Sequence, residues 1–210
     1  MRLLREFSKG SFWHIFARGV AKENIFRQKD DFIFYLYKVK EFLKKYPVTI
    51  HAYNLLFNHL HYLIQQTSGI TPSKFIGCLH TSVGLHMNRK YSRVGHLFQD
   101  RFKAKQLDKE ALLPVSFYVN LNKILEKLEH IEKTKISKKY LDKLLKEAER
   151  DPWSSYGVYL GLREDGITQT KFILSLISDD MKKARQEYRK LARQFITSGY
   201  FLKTRDLWFE

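Results

Sequence analysis

Apolar residues recur along this chain with two different periods. Phe12-Trp13-His14-Ile15-Phe16-Ala17 is aromatic and β-branched and stops at Arg18-Gly19, the pattern of a buried strand that ends in a turn. From Asp30 to Tyr46 the residues Phe32, Leu36, Val39, Phe42, Leu43 and Tyr46 return at three- and four-residue steps, which predicts an amphipathic helix ended by Pro47. Val48-Thr49-Ile50-His51-Ala52-Tyr53 alternates, and after Leu55-Leu56-Phe57-Asn58 a second run, His59-Leu60-His61-Tyr62-Leu63-Ile64, follows closely, so two antiparallel strands are expected. Thr71 then reads as an N-cap with Pro72 at the first helical position, and Phe75, Leu79, Val83 and His86 or Met87 continue one helical face toward Tyr91. Ser92 to Leu107 is expected to end in a strand, and a mostly apolar helix should run from Asp108 to about Lys127, perturbed by Pro114.

The order is strand, helix, strand, strand, helix, strand, helix. This predicts an α+β fold, a ferredoxin-like antiparallel sheet with helices on one face. Beyond it the composition shifts: residues 126–150 are rich in lysine and glutamate with leucines at helical spacing, Asp151-Pro152-Trp153-Ser154-Ser155-Tyr156 breaks the pattern, and two further helices are expected over about 168–197. The chain therefore divides into a core of residues 1–128 and a helical C-terminal extension of residues 129–210.

Charge narrows the function. The 210 residues are 44% hydrophobic, enough for a packed core, yet 38 Lys and Arg stand against 22 Asp and Glu, a formal charge of +16. A polyanion is the natural partner, held by phosphate neutralisation and counterion release. No stretch approaches the roughly 20 apolar residues of a membrane span, and Met1-Arg2-Leu3-Leu4-Arg5-Glu6 lacks the apolar block of a signal peptide, so no membrane contact and a cytoplasmic location are expected. Cys78 is the only cysteine, which excludes an intrachain disulfide and a cysteine-based metal centre.

His59 and His61 are two apart, so on a strand their imidazoles project from one face. That spacing can serve a pair chelating one divalent metal, but taken alone it is more often a partly buried polar edge. The apolar framing, Leu55-Leu56-Phe57 before and Tyr62-Leu63-Ile64 after, puts the pair inside a buried sheet. His14, His51, His80, His86 and His130 share no spacing and read as ordinary. Arg18, Arg101, Lys103 and Lys105 are candidate phosphate contacts, and Phe98, Phe102 and Trp13 candidate stacking surfaces for bases.

At these residues the chain resembles a family. Leu55-Leu56-Phe57-Asn58-His59-Leu60-His61-Tyr62-Leu63-Ile64 resembles the histidine-hydrophobe-histidine segment of the HUH single-tyrosine transposases, the insertion-sequence-200-like and REP-associated tyrosine transposases. Trp13-His14-Ile15-Phe16-Ala17-Arg18-Gly19 is similar to the family's first strand, and Gly95-His96-Leu97-Phe98-Gln99-Asp100-Arg101-Phe102-Lys103 to its basic segment before the last core strand. Tyr118-Val119-Asn120-Leu121-Asn122 resembles the catalytic-helix signature, and Asp151–Tyr156 a segment found downstream of it. Phe57 and Lys123 stand where the family usually has proline, and neither is a reacting group.

The resemblance implies a transposase that cleaves and rejoins single-stranded or hairpin DNA. Tyr118 would be the nucleophile forming a 5′-phosphotyrosine link, and His59, His61 and Asn122 the ligands of Mg2+ or Mn2+. Tyr118 and Asn122, four apart, share a helical face and can both point at the histidines. Without the resemblance Tyr118 reads as a core aromatic, and Tyr62 and Tyr91 compete with it. The family includes dimers that share active sites and members thought able to act as monomers, so monomer and homodimer both stay open. Two other readings fit the same residues: a non-catalytic module that binds DNA hairpins or RNA, and a metal-dependent nuclease that activates water.

Overall fold

The computed structural model describes residues 7–129 and 137–199. Its first half follows the predicted order: β1 (Phe12–Arg18), α1 (Lys29–Lys45), β2 (Thr49–Leu55), β3 (His59–Gln65), α2 (Pro72–Lys90), β4 (Lys103–Leu107) and α3 (Lys109–Glu129). The four strands form one sheet in the order β2-β3-β1-β4, each neighbour antiparallel. This is the ferredoxin-like arrangement, in which each crossover helix returns the chain to the sheet.

Alternation decides what each face carries, because successive side chains on a strand point to opposite sides. Trp13, Ile15 and Ala17 of β1 share a face with Leu60, Tyr62 and Ile64 of β3 and with Tyr53 and Leu55 of β2, and all are buried against Phe32, Tyr35 and Val39 of α1 and Phe75, Leu79 and Val83 of α2. The two crossover helices thus lie together on one face, as the pattern predicts. Their ends are fastened locally. Thr71 Oγ1 accepts from the Lys74 backbone N–H, with Pro72 in the first helical turn. The buried Asp31 carboxylate, close to the start of α1, accepts from Lys90 Nζ at 2.6 Å and Tyr91 Oη at 2.7 Å at the end of α2.

The opposite face is covered too, so the sheet has helices on both faces rather than one. α3 lies across it, running through Pro114 without a break. α4 (Lys138–Arg150), α5 (Tyr156–Tyr159), α6 (Lys171–Ser175) and α7 (Met181–Ser198) follow, and their apolar residues join one cluster with α3 and with Phe12, Ala52 and Leu63 of the sheet. Asn120 is the joint: its Nδ2 donates to Tyr188 Oη of α7 at 2.9 Å, its Oδ1 accepts from Ser155 Oγ at 2.5 Å, and its carbonyl accepts from Ser154 Oγ at 2.8 Å. Ser155 Oγ also accepts from the Tyr53 backbone N–H of β2 at 2.9 Å. The Asp151–Tyr156 segment therefore ties α3 to the sheet and fixes its rotation. With Asn120 turned toward α7 and Ser155, Tyr118 and Asn122 are left facing the sheet.

Candidate active site

β3 places His59 and His61 on the α3 side, where they are 3% and 1% exposed. His59 is held from both ends of its ring. Its Nδ1–H donates to Asn58 Oδ1 at 2.7 Å, and Asn58 is turned the right way because its own Nδ2 donates to the Lys22 carbonyl at 3.4 Å. The turn that supplies this carbonyl closes tightly: Gly19 donates its N–H to the Asn58 carbonyl, and a Cβ on Gly19 would lie 2.1 Å from the Glu23 carbonyl oxygen. With the proton on Nδ1, the neutral ring has a bare Nε2.

That nitrogen faces two oxygens. Asn122 Oδ1 is 3.1 Å away and Glu126 Oε1 3.4 Å, both on α3 one turn apart. Protonation does not resolve this meeting of acceptors, because burial first, and the positive charge of Arg18 further, hold the His59 pKa down at about 4 against the hydrogen bond to Asn122, which raises it. Burial and the neighbouring His59, His14 and Arg18 likewise push His61 well below its ordinary value. An imidazole nitrogen, an amide oxygen and a carboxylate oxygen that converge without a shared proton fit a divalent cation. Among the described residues no three His, Cys, Asp or Glu side chains form a metal-binding group by themselves, so the set depends on the Asn122 amide. Such mixed nitrogen and oxygen donors suit Mg2+ or Mn2+ better than a structural zinc centre.

Tyr118 stands one turn before Asn122, with its ring edge-on to His61 at 5.6 Å and to His14 at 6.0 Å between centroids. The competing tyrosines fall elsewhere. Tyr62 is fully buried on the α1/α2 face, where burial raises its pKa well above the usual phenol value, and Tyr91 is bound to Asp31.

Three of the four candidate phosphate contacts border this face. Arg18 lies directly across from His59, and its buried Nε has no hydrogen-bond partner among the described residues. The exposed Lys103 and Lys105 pair with Phe16 and His14 on the neighbouring strand and so share their face. Arg101 is not brought there: it lines a groove along α2 with Lys74, Gly77 and Asn88. The proposed stacking surfaces do not stand free. Trp13 and Phe102 are 4% and 5% exposed within the α1/α2 core, and Phe98 stacks on His80 at 3.9 Å. Alternating charge and aromatics look alike whether the rings point out or in, so the sequence pattern could not separate them.

Three site residues escaped the sequence reading. Asn58 adjoins the histidine pair, Glu126 continues the four-residue step of Tyr118 and Asn122, and His14 sits on a different strand. Of the other histidines, His51 bridges the Gln169 carbonyl and Gln65, His80 packs under Phe98 and His86 stacks on Phe34, all structural; His130 lies outside the described residues.

Comparison with known proteins identifies the family and the fold. The model of the family described as "Transposase IS200 like" matches residues 9–122, from β1 through Asn122. Among solved structures, a REP-associated tyrosine transposase bound to a REP hairpin shares the fold with a TM-score of 0.56 at 12% identity, over 80% of this chain and 92% of that one. No curated protein matches. With more than half of its length matched, across the whole sheet and into α3 as far as Asn122, the chain belongs to the IS200-like transposase family.

Proposed function

We propose that this protein cleaves and rejoins single-stranded or hairpin DNA through Tyr118, at a site where His59, His61 and Asn122 hold Mg2+ or Mn2+. The observation that carries the reading is the meeting of the bare His59 Nε2 with Asn122 Oδ1 at 3.1 Å, one helical turn from a tyrosine packed against the second histidine. Hairpin DNA is the partner named for the structural relative, and the +16 charge and the cationic border of this site suit the same class of ligand.

In the proposed reaction the Tyr118 oxygen attacks a backbone phosphorus in line with the 3′ oxygen. The new P–O bond joins the 5′ phosphate to the tyrosine, the P–O3′ bond breaks, and the 3′ oxygen leaves as a hydroxyl after taking up a proton. Attack by a 3′ hydroxyl on the phosphotyrosine reverses these steps and seals a strand with no nucleotide consumed. A bound divalent ion supplies Lewis-acid withdrawal of charge from the phosphate. Arg18, Lys103 and Lys105 hold the phosphates on either side, and Asn58 keeps His59 in the tautomer that a ligand needs. A phenol ionises near pH 10, about three units above neutrality, so the attack needs help in removing its proton. Glu126 adds a carboxylate at the solvent edge.

Incubation with hairpin and single-stranded oligonucleotides in Mn2+ tests the reading. A covalent adduct on a denaturing gel, absent for Tyr118→Phe, is the expected result. Cleavage that persists in Tyr118→Phe assigns the chemistry to an activated water instead.

A further inference from the structure

His14 lies outside every role given above, yet it is 2% exposed and its Nε2 is 3.1 Å from His61 Nδ1, with the two rings parallel to within 3°. It reaches His61 from the neighbouring strand: β1 pairs Phe16 with His61, so His14, two residues along, is the diagonal neighbour on the same face.

We propose that His14 is a positioning residue for metal capture, whose Nε2 accepts a hydrogen bond from His61 Nδ1–H and so leaves His61 Nε2 bare. The proposal rests on His59 and His61 being metal ligands. Two neutral imidazoles that meet nitrogen to nitrogen share one proton, and its side decides what His61 can do. With the proton on His61 Nδ1, Nε2 presents a lone pair. With the proton on His14 Nε2, His61 Nδ1 accepts it, His61 Nε2 keeps its own hydrogen, and that face of the ring repels a cation. Because His14 occupies Nδ1, Nε2 is the only His61 nitrogen left for a metal.

His59 shows the same device in a simpler form. There the partner is an amide oxygen, Asn58 Oδ1 at 2.7 Å, which can only accept. His14 plays that part for His61 with an atom able to accept or donate, so its own hydrogen belongs on Nδ1. The two ligands are thus set by two different outer partners, one adjacent in sequence and one reached only through strand pairing. Partners of this kind typically change metal affinity by about 10- to 100-fold when removed.

The test measures Mn2+ binding by the loss of the free-ion electron paramagnetic resonance signal, on the full chain without DNA. His14→Phe should bind Mn2+ about 10- to 100-fold more weakly, whereas His14→Gln, whose side-chain oxygen can accept at the same reach, should recover most of the affinity. Long-range nitrogen NMR of the metal-free wild type, with the His61 signals identified by their loss in His61→Ala, should show His61 protonated on Nδ1 and bare on Nε2. This measurement is made on the wild type and needs no folded His14 variant. A hydrogen on His61 Nε2 overturns the proposal, as does wild-type Mn2+ affinity in His14→Phe when His61→Ala has lost it. Wild-type affinity in both His59→Ala and His61→Ala overturns the ligand reading itself, and the role of His14 with it.

Discussion

On one face of the sheet Ile15, Leu60, Tyr62 and Ile64 meet α1 and α2 in a continuous apolar core; on the other, the intervening residues His14, His59 and His61 meet Tyr118 and Asn122 of α3. The same two strands supply both, residue by alternate residue. The first face follows the ordinary rule that buried groups are apolar. The second sets imidazoles and amides side by side, with the rings of Phe16 and Tyr118 packed against them. Asn58 and His14 each meet one ring nitrogen of the histidine pair, and a second core, between α3 and α4–α7, holds the helix in place. Under the proposed function the α1/α2 face serves stability alone, while the α3 face combines packing with the chemistry.

If that difference holds, substitutions on the two faces should fail in different assays. The largest effect is expected for Tyr118→Phe, which should lower adduct formation by on the order of 10³-fold or more, while thermal unfolding is nearly unchanged because only a hydroxyl is lost. Leu79→Ala, on the α1/α2 face, should do the reverse: it opens a cavity in a fully buried position and costs about 2–5 kcal/mol. Calorimetry should show the fall in stability, and Mn2+ affinity measured on the folded protein should stay at the wild-type level.

His59 joins the two kinds of readout. His59→Ala should weaken Mn2+ binding by more than the roughly 100-fold that marks the upper range for an outer partner. In the wild type its folded pKa of about 4 lies below the ordinary 6.5, so the unfolded chain takes up the proton first. The contribution of neutral, buried His59 to stability is therefore complete above about pH 6.5 and is lost as the pH falls toward 4, by on the order of 3 kcal/mol. Mn2+ affinity should stay level over most of that interval, since the proton competes for His59 only near its folded pKa. Denaturant titrations and Mn2+ titrations over the same pH series should then diverge. A metal affinity that declines already at pH 6.5 would contradict the buried, neutral imidazole.

The smallest effects belong to the cationic border. Lys103→Ala and Lys105→Ala should each reduce the salt dependence of DNA binding by about one unit of slope, with little change in stability. Arg101→Ala, in the groove along α2, should change the slope without affecting the rate of cleavage on bound DNA.

How much of this was legible in the sequence follows from the range of each interaction. His59 and His61, and Tyr118 and Asn122, are linked by fixed local periods of two and four residues, and the structure brings all four together. The N-cap at Thr71 is equally local and stands as expected. His14 joins through the register of β1 on β3, which no local period encodes, so it passed for an ordinary histidine. What holds α3 on the histidine side was hidden for a related reason: it is fixed by Asn120 with Ser154 and Ser155, more than thirty residues away in the chain. Trp13 and Phe102 could stack on bases or pack on a strand face, and the structure buries both, because an aromatic residue has the same pattern in a binding face and at the rim of a core.

The central claim is that the α3 face performs covalent chemistry through one particular tyrosine. The direct measurement is to trap the protein on a hairpin oligonucleotide in Mn2+, digest both components and identify by mass spectrometry the residue that carries the nucleotide. A phosphate ester on Tyr118 alone is the expected outcome. A nucleotide on any other residue, Tyr62 and Tyr91 included, would contradict the assignment of this face as the active site.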